Sequence, residues 1–303
     1  MPSELPARVH LVEVGPRDGL QNESEHIPTD RKIAFIQMLC AAGLPTVEAT
    51  SFVHPKAIPQ LADSGDVMAN LGDTGAAEIM ALVPNAKGLE RAIAAGLKRI
   101  AVFTAASDAF TRKNINMSVA ESLDTFAPVV QQAIAAGMSV RGYVSTAFVC
   151  PYAGEIDKRV VRDVCVKLLQ MGCDEIAVSD TIGAAAPRDI HATVGHILES
   201  IDVGKVALHL HDTFGTALTN VYAGLELGVA RFDASAGGLG GCPYAKGASG
   251  NLATEDLVYF LDRMGVETGV SLERVFEASS YIAETLSRPL PSRQWQRLRA
   301  ACG

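Results

Sequence analysis

The amino-acid sequence predicts an α/β fold, a (β/α)8 TIM barrel with extra helical material at its C-terminal end. Short apolar runs typical of strands alternate with longer helical segments, eight times, at a spacing of roughly 30 residues. Eight such units in about 250 residues fit a closed barrel of parallel strands. The alternative, a doubly wound open sheet, needs a glycine-rich phosphate turn after the first strand. Residues 15–19 (GPRDG) do not follow that pattern.

Each predicted strand is a short run of β-branched and apolar residues that ends at a turn signal. The eight predicted ranges are 8–14, 46–49, 78–83, 99–104, 139–145, 175–179, 205–211 and 230–235. The first strand leads into a turn that carries two opposite charges, Arg17 and Asp18. The second contains Glu48 in apolar surroundings. Because an unpaired buried carboxylate is costly, we expect Glu48 to have a cationic partner, and Arg17 is the natural candidate.

Helices are predicted between the strands, where amphipathic segments begin at capping residues and end at glycines such as Gly43, Gly137 and Gly172. The predicted ranges are 29–42, part of 55–71, 85–96, 118–136, 157–171, 187–200, 217–227 and 254–264, with further helical material over 272–300. No low-complexity linker interrupts this pattern. We therefore expect residues 1–303 to form a single barrel domain, with residues from about 265 onward forming a helical cap on the barrel.

Composition and charge exclude several classes of protein. The chain has a formal net charge of −8, whereas general nucleic-acid binding needs a basic surface. No apolar run approaches the ~18 residues of a membrane span. Residues 1–8 have neither the apolar core of a secretory signal nor the arginine-rich composition of an organelle presequence. We therefore expect a cytoplasmic protein that binds neither membranes nor nucleic acid.

The cysteines lack the spacing of a structural zinc site or a disulfide scaffold. The six thiols, none of them in a Cys-x-x-Cys motif, are Cys40, Cys150, Cys165, Cys173, Cys242 and Cys302. Most are expected to be reduced and buried as small apolar residues. Cys242 differs from the others because it lies in a glycine-rich segment.

Two histidines stand close together at the end of the seventh predicted strand. Because side chains alternate between the two faces of a strand, His209 and His211 point the same way. A lone His-x-His motif favours two unrelated histidines at a strand end, or is at best evenly balanced between that and a metal site. The functional interpretation gains weight from other polar residues that recur at the ends of predicted strands.

The active site of a TIM barrel lies at the C-terminal ends of its strands. The polar candidates there are Arg17, Asp18, Glu48, Ser51, Asp180, His209, His211 and the segment 237–251 that ends in Asn251. Each has a structural explanation when taken singly: Arg17 and Glu48 could form a purely structural pair, and Asp180 could begin a turn. Their convergence on one rim favours a functional site.

One carboxylate, two imidazoles and an amide oxygen suit a divalent cation with open coordination positions. Mg²⁺ or Mn²⁺ fits such a set better than structural zinc, which prefers a closed tetrahedral site. A cation with open positions can polarise substrate oxygens as a Lewis acid.

Residues 237–251, here called the glycine loop, contain six glycines at 237, 238, 240, 241, 247 and 250. The loop is too long for an ordinary βα turn and is predicted to be too flexible for a packed connection. It could be a mobile surface segment without function. The functional interpretation is a lid that carries the thiol of Cys242 between hinge glycines.

Several of these motifs together resemble those of 3-hydroxy-3-methylglutaryl-CoA (HMG-CoA) lyases. The resemblance extends from about residue 9 to 269, and the opening motif and the glycine loop are its most specific parts. The motifs that carry it are VEVGPRDGLQNE at 12–23, FTRKNIN at 110–116, RGYVS at 141–145, HLHDT at 209–213 and the segment 237–256.

The resemblance implies a role for each candidate. It implies that a divalent cation is held by Asp18, His209, His211 and Asn251. It implies that Arg17 stabilises the enolate oxygen, that Glu48 holds Arg17 in place, that Cys242 takes part in proton transfer, and that Asp180 is a further acidic position of the site. Asp18 or a nearby histidine such as His209 would take the hydroxyl proton. Substrate and coenzyme A contacts are expected from Arg17, Ser51, Arg112, Lys113, Asn114, Arg141 and Tyr143.

The implied reaction is cleavage of HMG-CoA to acetyl-CoA and acetoacetate, with Mg²⁺ or Mn²⁺ as cofactor and a homodimer or higher homo-oligomer as the assembly. Three alternatives stay open. The chain could cleave a related thioester, such as a longer branched 3-hydroxyglutaryl-CoA or citramalyl-CoA. It could be a condensing acyltransferase, although such enzymes usually carry an added regulatory domain. It could bind coenzyme A or a metal without catalysing a reaction.

Overall fold

The computed structural model describes residues 5–241 and 250–302. Ten strands lie in this part of the chain: β1 (His10–Glu13), β2 (Thr46–Ser51), β3 (Glu78–Leu82), β4 (Arg99–Ala105), β5 (Ser139–Ser145), β6 (Val149–Cys150), β7 (Gly154–Glu155), β8 (Glu175–Asp180), β9 (Val206–Leu210) and β10 (Arg231–Ala234). Eight of them form a closed barrel in the order β1-β10-β9-β8-β5-β4-β3-β2. All neighbouring strands of the barrel are parallel. The predicted TIM barrel is confirmed.

The helices follow the strands and cover the outside of the barrel. They are α1 (Thr29–Ala41), α2 (Ser64–Asn70), α3 (Ala86–Ala94), α4 (Asp108–Ile115), α5 (Val119–Ala135), α6 (Lys158–Met171), α7 (Pro187–Leu198), α8 (Ala217–Glu226), α9 (Thr254–Arg263), α10 (Leu272–Ala283) and α11 (Arg293–Cys302). Local capping explains several boundaries. Ser118 and Glu121 form a capping box at the start of α5, and Gly172 ends α6 in a left-handed conformation with φ 111°. Among the described residues, no helix combines the length and apolar character that a membrane crossing requires.

The sequence did not predict two elements that lie at the rim of the barrel. Helix α4 has eight residues, of which Phe110 and Thr111 are buried, so its apolar positions are too few to show a helical period. It begins at the Ser107 cap and ends where Asn116 adopts a left-handed conformation with φ 56°. Strands β6 and β7 form a two-stranded antiparallel hairpin that is too short to give an alternating pattern.

The turn after β1 fixes the backbone of the first two candidate site residues. Residues Gly15–Gly19 form one π-helical turn, with Pro16 at its start. The backbone N–H groups of Arg17, Asp18 and Gly19 all lie within 3.2 Å of the Val14 carbonyl oxygen. This compact turn makes Arg17 and Asp18 part of a rigid strand end.

The C-terminal extension, predicted as helical material over 272–300, consists of the two helices α10 and α11. Proline cannot continue a helix, and Pro289 and Pro291 lie in the segment between α10 and α11. In that segment Leu290 is buried, and the Ser292 N–H donates to the Gly237 carbonyl oxygen at 3.1 Å. The extension therefore contacts the beginning of the glycine loop.

Candidate active site

A cavity of about 430 Å³ lies at the C-terminal ends of the barrel strands. Its wall brings together candidate residues from the first, fifth and seventh predicted strands. These are Arg17, Asp18, Tyr143, His209 and His211. An apolar part of the wall comes from Leu82, Phe103 and Phe110. The cavity thus has a polar end and an apolar end.

Three predicted metal ligands converge at the polar end of this cavity. One ligand atom from each of Asp18, His209 and His211 lies within 4.8 Å of the others. The two histidine Nε2 atoms are 3.2 Å apart, and His209 Nε2 is 3.9 Å from Asp18 Oδ2. The prediction that both imidazoles lie on one face of the strand end is confirmed.

Asn251 joins this cluster from the far end of the glycine loop. His211 and Asn251 form an isolated antiparallel bridge, which brings the end of the loop against the end of β9. Asn251 Nδ2 donates to Asp18 Oδ2 at 2.9 Å and to the Leu239 carbonyl oxygen at 3.1 Å. The atom that faces Asp18 is thus the amide nitrogen rather than the predicted amide oxygen. A half-turn of the side-chain amide exchanges the two atoms.

The chemistry of these donors fits a divalent cation. Burial opposes ionisation of Asp18, but Arg17 and the two histidines outweigh it and lower the pKa of that carboxyl to about 2. Burial and the neighbouring His209 lower the pKa of His211 to about 4, so its imidazole is neutral at pH 7. The Nδ1 atom of His211 is buried and has no hydrogen-bond partner among the described residues. A carboxylate beside a neutral imidazole is the protonation state in which both can bind a metal.

The predicted pairing of Arg17 with Glu48 is confirmed. Arg17 Nε and Nη2 each lie 2.6 Å from Glu48 Oε2, and Arg17 Nη1 lies 2.6 Å from Asp18 Oδ1. Tyr143 reaches the same Glu48 oxygen at 3.4 Å, and Glu48 itself is fully buried. Arg17 is thereby held between two carboxylates at the edge of the cavity.

Three other candidates are not among the residues that line the cavity. Asp180 is buried and accepts hydrogen bonds from the backbone N–H groups of Ala184 and Ala185 at 3.1 and 3.0 Å. Burial raises the pKa of Asp180 to about 6 in spite of these donors. Ser51 donates to the Leu82 carbonyl oxygen at 3.2 Å. Arg141 is fully buried inside the barrel. The predicted substrate contacts of Ser51 and Arg141 are therefore not seen, since neither side chain reaches the cavity wall.

The predicted coenzyme A contacts are on α4. Asn114 lines the cavity, whereas the Lys113 ammonium lies 4.2 Å from the centre of the Tyr152 ring and Arg112 is exposed. The predicted proton donor Cys242 lies outside the described residues.

Both ends of the glycine loop are packed rather than flexible, whereas the middle of the predicted lid, residues 242–249, lies outside the described residues. Gly240 and Gly250 are buried and have positive φ values of 122° and 84°. A Cβ atom on Gly250 would lie 2.4 Å from the Gly240 carbonyl oxygen, and one on Gly240 would lie 2.7 Å from Asn251 Nδ2. At these two positions the glycines allow close backbone approach beside Asn251 rather than flexibility.

Comparison with known proteins then places the chain in a family. The HMGL-like family model matches residues 8–282. The chain belongs to the HMGL-like family. Its relatives include the mitochondrial hydroxymethylglutaryl-CoA lyase of Rattus norvegicus, which is 51% identical over 95% of this chain and 89% of that protein. A cytoplasmic 3-hydroxy-3-methylglutaryl-CoA lyase of the same organism is 46% identical over 96% of this chain and 85% of that protein.

Solved structures of HMGL-like proteins have the same fold. The hydroxymethylglutaryl-CoA lyase of Pseudomonas aeruginosa matches with a TM-score of 0.96 and 44% identity, covering 98% of this chain and 99% of that chain. An HMG-CoA lyase of Acinetobacter baumannii, solved with coenzyme A and 3-methylmalate, matches with a TM-score of 0.91 and 38% identity. That match covers 96% of this chain and 95% of that chain.

Sequence reasoning missed three polar residues that hold the site of this HMGL-like chain together. Gln21 donates to Asp18 Oδ1 at 2.8 Å, and Asp233 Oδ2 lies 3.0 Å from His209 Nδ1. Glu13 accepts from the backbone N–H groups of Gly15 and Ala236 and so joins the first turn to the segment between β10 and the glycine loop. Glu13 and Asp233 had the same signal as Glu48, an acid inside an apolar strand.

We predict that Gly250→Ala lowers both the stability and the activity of this HMGL-like protein. A left-handed alanine costs about 1 to 2 kcal/mol, and the clash with Gly240 adds to that cost. Displacing the neighbouring Asn251 lowers kcat by about 10²-fold. The control is Gly265→Ala, since Gly265 has a similar φ of 72° with no atom near its Cβ position. Thermal unfolding and turnover are measured for both, and equal effects would contradict the close-approach argument.

Proposed function

We propose that the chain is a divalent-metal-dependent carbon–carbon lyase that cleaves HMG-CoA to acetyl-CoA and acetoacetate. The observation that carries the proposal is the convergence of Asp18, His209 and His211 beside Arg17 in one cavity. The 51% identity to a hydroxymethylglutaryl-CoA lyase and the relative solved with coenzyme A support the substrate class. We propose Mg²⁺, or Mn²⁺ in its place, as the cofactor, because carboxylate and neutral imidazole ligands suit both.

The chemistry needs one proton removed and one proton delivered. The substrate has a tertiary hydroxyl β to a thioester, and loss of the hydroxyl proton lets the adjacent C–C bond break. Acetoacetate leaves, and the electron pair of the broken bond forms a thioester enolate that becomes acetyl-CoA when its carbon is protonated. A divalent cation held by Asp18, His209, His211 and Asn251 would supply Lewis-acid polarisation of the substrate oxygens.

Arg17 is assigned to stabilise the enolate oxygen. A guanidinium has five N–H groups, and the three contacts to Glu48 and Asp18 leave two for a substrate oxygen. Glu48 fixes the plane of the Arg17 guanidinium, so its free N–H groups are oriented before negative charge develops on the enolate oxygen. Preorganised donors of this kind are worth about 3 kcal/mol each in the transition state.

The proton transfers are assigned to groups at the polar end of the cavity. We assign removal of the hydroxyl proton to Asp18, or to His209 when its Nε2 is not bound to the metal; both residues line the cavity. Protonation of the enolate carbon is assigned to Cys242 on the strength of the family resemblance, since this residue lies outside the described part of the chain. The apolar wall formed by Leu82, Phe103 and Phe110 suits the acyl chain and limits access of water to the enolate.

Coenzyme A recognition is proposed for the rim beside this wall. Asn114 lines the cavity, and Arg112 and Lys113 on the same helix carry positive charge that suits the coenzyme phosphates. Asp180, Ser51 and Arg141 are proposed to support the wall from behind. A homodimer or higher oligomer and a cytoplasmic location stay predictions, and the relatives include mitochondrial as well as cytoplasmic enzymes.

Mass spectrometry of products from a panel of 3-hydroxyacyl-CoA thioesters, with and without Mg²⁺, tests the proposal. We expect acetyl-CoA and acetoacetate from HMG-CoA only when the metal is present. Preferred cleavage of a longer branched 3-hydroxyglutaryl-CoA or of citramalyl-CoA would reassign the substrate and keep the reaction class. Ligand binding without any product would contradict a catalytic function.

A further inference from the structure

A line of buried charged residues runs through the barrel interior beneath the metal-ligand cluster. We call Asp233, Arg141 and Glu175 the buried charge array; their exposed fractions are 2%, 0% and 4%. Arg141 Nη2 lies 2.5 Å from Asp233 Oδ1, and Arg141 Nε lies 3.1 Å from Glu175 Oε1. At its lower end, Glu175 also pairs with Arg99 and Arg231 at 3.2 and 3.1 Å. The array therefore links the bottom of the barrel to the layer beneath the cavity.

The upper end of the array meets a histidine of the metal-ligand cluster. Asp233 Oδ1 contacts Arg141, and Asp233 Oδ2 lies 3.0 Å from His209 Nδ1. The two residues are register partners on β10 and β9, so the contact follows from strand pairing. Asp233 thus has one oxygen for each partner.

This contact determines which nitrogen of His209 carries the proton. An ionised carboxylate only accepts hydrogen bonds, and the short contact with the Arg141 guanidinium favours the ionised form of Asp233. The hydrogen atom between Asp233 and His209 must then come from Nδ1 of the imidazole. The lone pair of the neutral ring is left on Nε2, which is 3.2 Å from His211 Nε2 and 3.9 Å from Asp18 Oδ2.

We propose that Asp233 is a positioning residue that fixes His209 as the Nδ1–H tautomer and aims its Nε2 lone pair at the metal site. Arg141 holds Asp233 in place through its Nη2 contact, whereas Glu175 contacts a different nitrogen, Nε, of the same guanidinium. A carboxylate behind a ligating histidine orients the ring and increases its basicity, and loss of such a partner typically weakens metal binding by about 10–100-fold. The inference rests on the metal site of the proposed function and adds a residue to its support.

Asp233 could instead serve only to neutralise the buried Arg141. Two variants separate these roles. In Asp233→Asn the amide oxygen must face Arg141, which has no acceptor, so the amide N–H group faces His209 Nδ1 and forces the Nε2–H tautomer. Glu175→Gln removes a charge from the same array, but Glu175 contacts Arg141, Arg99 and Arg231 rather than His209. It is the matched control.

The test titrates metal-stripped wild type and both variants with Mn²⁺ and measures free Mn²⁺ by electron paramagnetic resonance, without any turnover. We expect Asp233→Asn to weaken Mn²⁺ binding by about 10–100-fold and Glu175→Gln to leave it unchanged. Equal Mn²⁺ affinity of wild type and Asp233→Asn would overturn the positioning role and leave the proposed function intact. Absence of saturable Mn²⁺ binding by the wild type would overturn both.

A measurement on the wild type decides the matter even if Asp233→Asn does not fold. Long-range ¹H–¹⁵N correlation spectra of protein with ¹⁵N-labelled histidine report which ring nitrogen carries the proton. In metal-stripped protein with a neutral His209 ring we expect a protonated Nδ1 and an unprotonated Nε2, because a bound metal would by itself exclude a proton from Nε2. A protonated Nε2 on His209 would overturn the inference.

Discussion

Removal of the metal will abolish cleavage of HMG-CoA, and His211→Ala will do the same with metal present. His211 supplies one of the three clustered ligand atoms, and the methyl side chain of alanine cannot bind a metal. Its Nδ1 has no hydrogen-bond partner in the described part of the chain, so the substitution breaks few contacts that hold the barrel. Turnover is measured after treatment with EDTA and again after addition of Mg²⁺ or Mn²⁺, which should restore it in the wild type alone.

The control for this prediction is His191→Ala. His191 lies on α7, where it pairs with Glu226 at 3.1 Å and is partly exposed. This variant should lose activity with EDTA and regain it with metal, as the wild type does. Full turnover in metal-stripped wild type, or normal metal-dependent turnover in His211→Ala, would refute the assignment of the metal site.

Arg17→Lys will bind substrate but lower kcat by about 10²- to 10³-fold, the effect expected when one preorganised donor is lost. Lysine keeps the positive charge between Glu48 and Asp18 but replaces the planar fork with a single ammonium group. That group cannot contact both carboxylates and also present two donors to the enolate oxygen. Because the lost interaction forms mainly in the transition state, KM should change much less than kcat.

Arg99→Lys is the matched control for Arg17→Lys. Arg99, like Arg17, pairs with carboxylates, in this case those of Glu78 and Glu175. It lies at the start of β4, at the end of the barrel opposite the cavity. We expect a kcat close to that of the wild type for this variant. A near-normal kcat for Arg17→Lys as well would show that Arg17 serves only as the partner of Glu48.

Sequence patterns predicted the barrel because each strand is a short apolar run between turn signals. All eight predicted barrel strands are present, with ends that differ by a few residues. The patterns failed where an element is too short or too polar to show a period, as in α4. At the two described ends of the glycine loop they were also wrong, because the number of glycines does not distinguish flexibility from the close approach seen between Gly240 and Gly250.

For the site, the sequence by itself determined which residues stand at strand ends and which side chains share a face. His209 and His211 lie on one face because strand side chains alternate with a period of two, and Glu48 had to be paired because it is buried. These conclusions need only local geometry and the cost of burying charge.

Only the tertiary structure decided which of these residues meet. The pairing of Asp233 with His209 depends on the register between β10 and β9, which barrel closure sets and no local pattern records. The same holds for Asn251, which reaches Asp18 because the end of the glycine loop pairs with the end of β9. Arg141 and Tyr143 lie on the same face of β5, but only Tyr143 lines the cavity. Arg141 is buried beneath it, because successive inward residues of a barrel strand lie at successive depths.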